Sequence, residues 1–434
     1  MMKHLMQMIT KRKRKYLGAG LLLTAIFLSA LTSGCALNGL HKGTQDLTRN
    51  IPKEEVETVD MMEPSYESVN PRKELTEFSL ELLSENLSHG NCLISPLSIV
   101  SALGMTANGA EGSTRAQMEQ MMHTDTAVLN DYLKAYTDYM PNSEACQVNI
   151  ANSIWFRDSL AINEDFLKTS RNYYDASIFE APFDAGTRDD INSWVKKETN
   201  GMIQKLLEEA PPRDAVMYLV NGLSFDGEWR DIYKKNQIHK GTFNAENGEH
   251  QSAEFMYSTE AVYLENTLGR GFLKPYGDGA YAFAAVLPDE GMTMKEFLER
   301  LKENGITDLL EQTRNKTVCV RLPKFTVEYN VVLNESLTES GMKDAFDSQK
   351  ADFSSMAHSD NDNIYISKVI HKTKIDVDEK GTKAGAVTAV EVSEGSAVQT
   401  EEPKEVFLDR PFFYMIIDTR QNVPLFMGCL MQLE

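Results

Sequence analysis

Cysteine is scarce, with five residues in 434, and no CxxC pair occurs. That spacing leaves a zinc knuckle or a dithiol redox centre without support. Basic charge is also short: 44 Lys and Arg stand against 64 Asp and Glu, for a net −20. Phosphate attraction needs clustered cations, so no nucleic-acid partner is expected. Histidine is rare, eight in all, and only His371, in Lys368-Val-Ile-His371-Lys372, falls on a strand pattern that makes it a structural residue. There is no GxSxG elbow, no HExxH helix and no GxxxxGK[ST] phosphate loop. No local turn chemistry points to a nucleophile, so the chain is not expected to be an enzyme, and neither a metal nor a cofactor is expected. A Ser-His-Asp triad assembled in space is not excluded by spacing alone.

What is present is an ordinary globular composition, 42% hydrophobic and 25% charged, which excludes wholesale disorder, collagen and a polytopic membrane protein. The charge is unevenly placed. Residues 1–34 hold six Lys or Arg and no acid, and without them 38 basic groups face 64 acidic ones, a balance of −26. Lys11-Arg-Lys-Arg-Lys15, an uncharged run from Tyr16 to Leu31 and the small residues Thr32-Ser33-Gly34 make a secretory signal over 1–34. The ending before Cys35 resembles a bacterial lipoprotein signal, with Leu31 one place further from the cysteine than usual. It implies lipidation of Cys35 and a membrane link through that lipid only. Plain secretion and an uncleaved anchor are the alternatives, although the apolar run is short of the ~20 residues of a span. Residues 35–70 are polar, broken by Pro52 and Pro64 and followed by Pro71, and read as a mobile tether. Cys92, Cys319 and Cys429 lie in apolar surroundings and read as buried thiols. A disulfide among Cys92, Cys146, Cys319 and Cys429 stays open.

Residues 71–434 show no internal linker and read as one domain. Apolar residues at helical spacing predict helices over Leu75–Leu87, from Ser95-Pro96 through Met105, and over Thr114–Met122, Glu164–Tyr174, Asp189–Leu207 and Thr293–Asn304. Ser95 is a natural N-cap, and Asn200-Gly201 a natural stop. Strands are expected at Val148–Phe156, Val216–Leu223, Tyr281–Leu287, Val318–Tyr329, Tyr365–Val377, Phe412–Ile417 and Pro424–Met431. Helices early and strands late argue for an α+β fold.

Several ordered segments then carry a resemblance. They are Asn91-Cys-Leu-Ile-Ser-Pro-Leu-Ser98 through Met105, Ile191-Asn-Ser-Trp194, Leu219-Val-Asn-Gly-Leu-Ser-Phe-Asp-Gly-Glu-Trp229, Leu322-Pro-Lys-Phe325, Leu337 to Phe346, Val369-Ile-His-Lys372, Asp409-Arg-Pro-Phe412 and Pro424-Leu-Phe-Met-Gly428. Together they resemble the serpins over nearly all of 71–434. The resemblance implies about nine helices on three β-sheets, with an exposed reactive-centre loop near the C-terminus. It implies inhibition of serine proteases as a suicide substrate: the protease cleaves the loop, the loop inserts into the large sheet, and the acyl-enzyme is trapped. It also implies that Ser95, Ser98, Asn221 and His371 form a polar cluster, the shutter, where hydroxyl and amide groups supply the histidine's partners. Trp229, Lys324 and Glu379 would mark the breach, where the loop first enters.

The loop, Glu379 to Pro403, has its own physics. In a strand, Thr382, Ala384, Ala386, Thr388, Val390 and Val392 share one face, small or β-branched and uncharged, suited to burial. Lys383 and Glu391 fall on the other face, and Lys383 is a departure from the family's usual Glu. Gly381 is expected to act as a hinge through its access to positive φ. No proline interrupts Gly381–Thr400, which suits strand insertion. Counting on from Glu379 as in the family puts the scissile bond at Gly395–Ser396, whereas counting back from Phe412 puts it after Thr400. The hinge count is preferred because insertion length is mechanically constrained. The window Glu394, Gly395, Ser396, Ala397, Val398, Gln399 and Thr400 offers no cation or ring. The expected partner is therefore an extracellular serine protease of elastase-like or subtilisin-like preference. The protein itself is expected as an extracellular monomer. The alternative is a non-inhibitory serpin with a binding or chaperone-like role.

Overall fold

The computed structural model describes residues 39–56, 71–87, 90–212, 214–311, 313–359, 363–382 and 403–433. From Leu40 onward they form one unit. Nine α-helices occur among the described residues: α1 (Arg72–Glu85), α2 (Pro96–Ala107), α3 (Gly112–Met122), α4 (Thr126–Tyr139), α5 (Glu164–Tyr174), α6 (Ala185–Glu198), α7 (Met294–Asn304), α8 (Ile306–Glu311) and α9 (Asn334–Glu339). α1 buries Leu75, Phe78, Leu82 and Leu83, the stripe that the spacing predicts. α6 starts on a capping box, with Asp184 accepting from the Thr187 N–H, and ends at Asn200 and Gly201, both with positive φ. Every residue of α2 is buried. Ser95 sits at its N-cap but makes no side-chain capping bond.

The strands build three large sheets and one ribbon. The large sheet runs in the order β1 (Gln45–Asp46), β5 (Ser177–Ala181), β3 (Cys146–Arg157), β6 (Met217–Glu228), β17 (Gly381–Thr382), β16 (Lys368–Val377), β14 (Phe325–Val332). The second is β12 (Thr313–Arg314), β9 (Val262–Asn266), β10 (Gly269–Pro275), β11 (Tyr281–Pro288), β19 (Phe412–Asp418), β20 (Val423–Leu430), β2 (Cys92–Ile94). The third is β18 (Lys404–Phe407), β13 (Val318–Pro323), β8 (His250–Glu260), β7 (Ile238–Asn244). β4 (Ala161–Ile162) and β15 (Ala357–His358) pair separately. The mixed architecture is the expected α+β class.

The large sheet is buried on both faces, and the period-2 alternation of its strands shows how. Ile154, Phe156, Leu219 and Val369 enter the main core, where α2 packs against β3, β6 and β20. Their neighbours Trp155, Tyr218, Val220 and Ile370 enter a second cluster with Ile191 and Val195 of α6.

Three expectations need correcting. The tether is in part a piece of the body: Leu40–Val56 lies in the same unit, and β1 pairs with β5 at the edge of the large sheet. Leu47 and Ile51 pack on the main core, and Glu54 N–H donates to Asn172 Oδ1 at 2.9 Å. The side chain of Asp190 is 1% exposed and takes both the backbone N–H and Nδ1 of His41, which raises the histidine's pKa. An edge strand offers a free ladder, so Leu47 and Ile51, too sparse for any periodicity, suffice to dock the segment. The signal expected over 1–34, the lipidation expected at Cys35 and the tether expected over 57–70 lie outside the described residues. Second, the strand expected over Val318–Tyr329 is two strands, because Lys324 separates β13 from β14 and the chain changes sheets there. Third, α4, α8 and the β7–β10 meander carried no sequence signal strong enough to place them.

The four described cysteines are free thiols; Cys92, Cys146 and Cys429 are buried, whereas Cys319, expected to be buried, is only half-buried. Burial pushes Cys92 and Cys146 up to about 12 and Cys429 well above its ordinary value.

Candidate functional site

The large sheet is closed at one end and parted towards the other. β16 and β6 run parallel and pair from Lys368↔Tyr218 to His371↔Asn221. Beyond that pair, Lys372–Asp376 of β16 keeps its β14 partners, and no ladder to β6 is formed among the described residues. The far end is filled by β17, with Gly381↔Glu228 and Thr382↔Gly227 on one side and Thr382↔Val377 on the other. The seam between β6 and β16 thus has a sealed foot, an unpaired middle and an occupied top.

The foot carries the polar residues singled out from the sequence. Ser98 Oγ donates to Asn221 Oδ1, and Asn221 Nδ2 donates to Asn152 Oδ1 at 2.5 Å. His371 is 1% exposed and accepts at Nε2 from the Ser95 backbone N–H at 3.1 Å. This corrects the expectation that hydroxyl and amide side chains serve the histidine. They serve each other, while the helix start serves the ring. The Ser95 hydroxyl and His371 Nδ1 have no partner among the described residues. Burial drives the His371 pKa down to about 3, so the ring is neutral at physiological pH. Asn152 was not foreseen. It lies on β3 directly opposite Asn221, a pairing visible only once the register is known.

The top carries the second group. Lys324 Nζ lies 2.8 Å from Glu379 and 2.9 Å from Glu254. Its hydrogen bond holds the Glu379 carboxyl below its ordinary range, and the two carboxylates raise the lysine against the opposing effect of burial. Glu254, on β8, was missed because it meets Lys324 only through the sheet-to-sheet corner. Trp229 stacks on Tyr276 at 4.3 Å and 10°. Its indole N–H donates to Asp378 O at 2.9 Å and its backbone N–H to Lys380 O at 2.8 Å. Tyr233 N–H donates to Glu379 O at 2.9 Å. The turn from Asp378 to Gly381 is therefore held from the β6 side through main-chain groups.

Gly381 is needed for a reason other than the expected one. Its φ is not positive; instead a Cβ there would lie 2.0 Å from Gly227 O. The constraint is close approach of two backbones, which only glycine permits. Thr382 is buried, 1% exposed, with its hydroxyl against the Tyr276 hydroxyl. Ala384, Ala386, Thr388 and the window Glu394, Gly395, Ser396, Ala397, Val398, Gln399, Thr400 lie outside the described residues.

These features have relatives. Residues 73–433 match the family Serpin (serine protease inhibitor). A serpin-like protein of Methanosarcina mazei is 30% identical over 94% of this chain and 96% of its own length. Human leukocyte elastase inhibitor is 30% identical over 81% of this chain and 97% of its own length. Among solved structures, the thermophilic serpin tengpin in its native state is 41% identical, with a TM-score of 0.83, covering 90% of this chain and 100% of that one. Tengpin in its latent state is 40% identical, with a TM-score of 0.74 over 88% of this chain. With the family match running over 73–433, nearly the whole of the folded body that holds the seam, the chain belongs to the serpin family.

Proposed function

We propose that this serpin inhibits serine endopeptidases by loop insertion. Cleavage of the loop between Glu394 and Thr400, with Gly395–Ser396 preferred, leaves an acyl-enzyme, and the freed strand then fills the seam between β6 and β16. The observation that carries this reading is the seating of Gly381 and Thr382 at the top of that seam. Thr382 faces inward, so a continuing strand turns Ala384, Ala386, Thr388, Val390 and Val392 inward too. Lys383 and Glu391 then face away. Continuing the ladder from Thr382↔Gly227 and Thr382↔Val377 brings Thr388 between Asn221 and His371, the first closed pair at the foot. Four uncharged residues, Thr382, Ala384, Ala386 and Thr388, thus lead from the occupied top to the polar foot. A strand of about 12–14 residues would carry the protease some 40–48 Å.

The target is an extracellular protease of elastase-like or subtilisin-like preference, because the window holds no cation or ring for a trypsin-like or chymotrypsin-like pocket. The similarity to leukocyte elastase inhibitor supports the elastase-like choice. The protein works as a monomer, without cofactor, secreted or held at a cell surface through a lipid on Cys35. Mixing it with an elastase-type protease is expected to give an SDS-resistant covalent complex and to release a C-terminal peptide whose mass fixes the cut. Plain cleavage without a complex would make it a non-inhibitory serpin.

A further inference from the structure

Tyr276 follows β10 and is not part of the loop. Its side chain is fully buried, and its ring is held between Trp229, stacked at 4.3 Å, and Phe225, edge-on at 4.9 Å. A ring clamped on two sides presents its hydroxyl at one fixed point. The Thr382 hydroxyl lies there, 2.5 Å away. Burial raises the phenol's pKa well above its ordinary value, so the group is a neutral O–H. If Thr382 left the sheet, its own hydroxyl would regain water. The buried phenol would not, and an unpaired buried polar group is costly.

The register makes this contact more than a local bond. A one-residue slip exchanges the two faces of a strand. In the observed register Thr382 faces Tyr276. Slipped by one, the chain would set Lys383 or Gly381 against the phenol. Gly381 carries no hydroxyl, and the lysine would bring a charge into a site enclosed by aromatic rings. The turn before it is fixed as well: Asp378 Oδ1 accepts from the N–H groups of Lys380, at 2.7 Å, and Gly381, at 3.2 Å. The turn therefore delivers one residue to the phenol, and the phenol accepts a hydroxyl.

We infer that Tyr276 is a positioning residue for loop insertion: its hydroxyl receives Thr382 and pins the register in which the loop enters the sheet. The inference rests on the inhibitory reading and adds to it the residue that decides which face goes inward. Without the pin, cleaved loops enter late or out of register, and acylated protease escapes by hydrolysis.

The test measures the stoichiometry of inhibition of an elastase-type protease, in moles of inhibitor consumed per mole of protease trapped. Removing a buried hydrogen bond of this kind shifts the docking equilibrium by roughly five- to tenfold. Tyr276→Phe and Thr382→Val should each raise the stoichiometry by up to that factor, while Thr382→Ser should stay near the parent. The double variant should do no worse than either single one, since both remove the same contact. Unchanged stoichiometry in both single variants, or effects that add in the double variant, would overturn the inference. Hydrogen exchange at the Gly381 and Thr382 amides gives a second readout that needs no protease. Faster exchange in both single variants supports the pin even if the parent protein traps nothing, which would sink the inhibitory reading alone. Unchanged exchange overturns the pin whatever the protein inhibits.

Discussion

The two ends of the seam between β6 and β16 are built from opposite materials. The foot is closed by backbone pairing around a small polar cluster in which the Ser95 hydroxyl and His371 Nδ1 lack partners among the described residues. The top already holds the two residues of β17, and its walls are aromatic rings and backbone donors that hold the turn Asp378–Gly381. Rigid walls at the entrance and an incompletely satisfied lock at the foot favour a sheet that opens from the top downward. Polar groups can change partners when strands part, whereas a packed apolar interior resists having water or a polar strand forced into it.

The comparison can be broken most strongly at the foot. The folded-state pKa of His371 is lowered from 6.5 to about 3, so the unfolded chain binds a proton that the native state refuses. Its contribution to stability is full above pH 6.5 and is lost as pH falls towards 3, by up to about 1.4 kcal/mol per pH unit. Unfolding midpoints of the native form measured over that range should fall with pH, and His371→Gln should flatten the slope. Equal slopes in the two proteins would mean that the ring is not sealed in.

At the top the corresponding break is Gly381→Val. A side chain there meets the Gly227 carbonyl, and overpacking of this kind costs about 1–3 kcal/mol. Trapping should slow roughly ten- to a hundredfold relative to hydrolysis of the acyl-enzyme, seen as cleaved rather than complexed inhibitor on a denaturing gel. Undiminished complex formation would contradict the close approach of β17 to β6.

Lys324→Ala sharpens the comparison by having the smallest effect. The lysine bridges Glu379 and Glu254 but is partly exposed, so the loss in stability should stay below about 1 kcal/mol and shrink with added salt. A larger, salt-independent loss would make the ion pair, and not the aromatic wall, the main fastening of the top.

Much of this was legible in the sequence because it is local. Helix spacing in α1, the α6 stop at Asn200-Gly201 and the helices-then-strands order each depend on residues close in the chain. The lysine–glutamate pair at the top was placed by resemblance, since Lys324 and Glu379 come together only when β14 and β16 pair. What escaped was set by register and by distant edges. Asn152 faces Asn221 across β3 and β6, Glu254 arrives from another sheet, and Tyr276 acts through its hydroxyl from outside the loop. The segment Leu40–Val56 reads as polar tether because its docking uses ladder groups of β5 and the buried carboxylate of Asp190, and a one-dimensional pattern displays neither. Gly381 was identified as necessary, but its reason, contact with Gly227, belongs to the folded sheet.

The central claim is that the cut loop becomes a new strand between β6 and β16. Thermal unfolding of the purified protein before and after cleavage within Glu394–Thr400 tests it most directly. The midpoint should rise markedly once the loop is cut, as the seam closes from Thr382 down to His371. An unchanged or lower midpoint after complete cleavage would contradict the account.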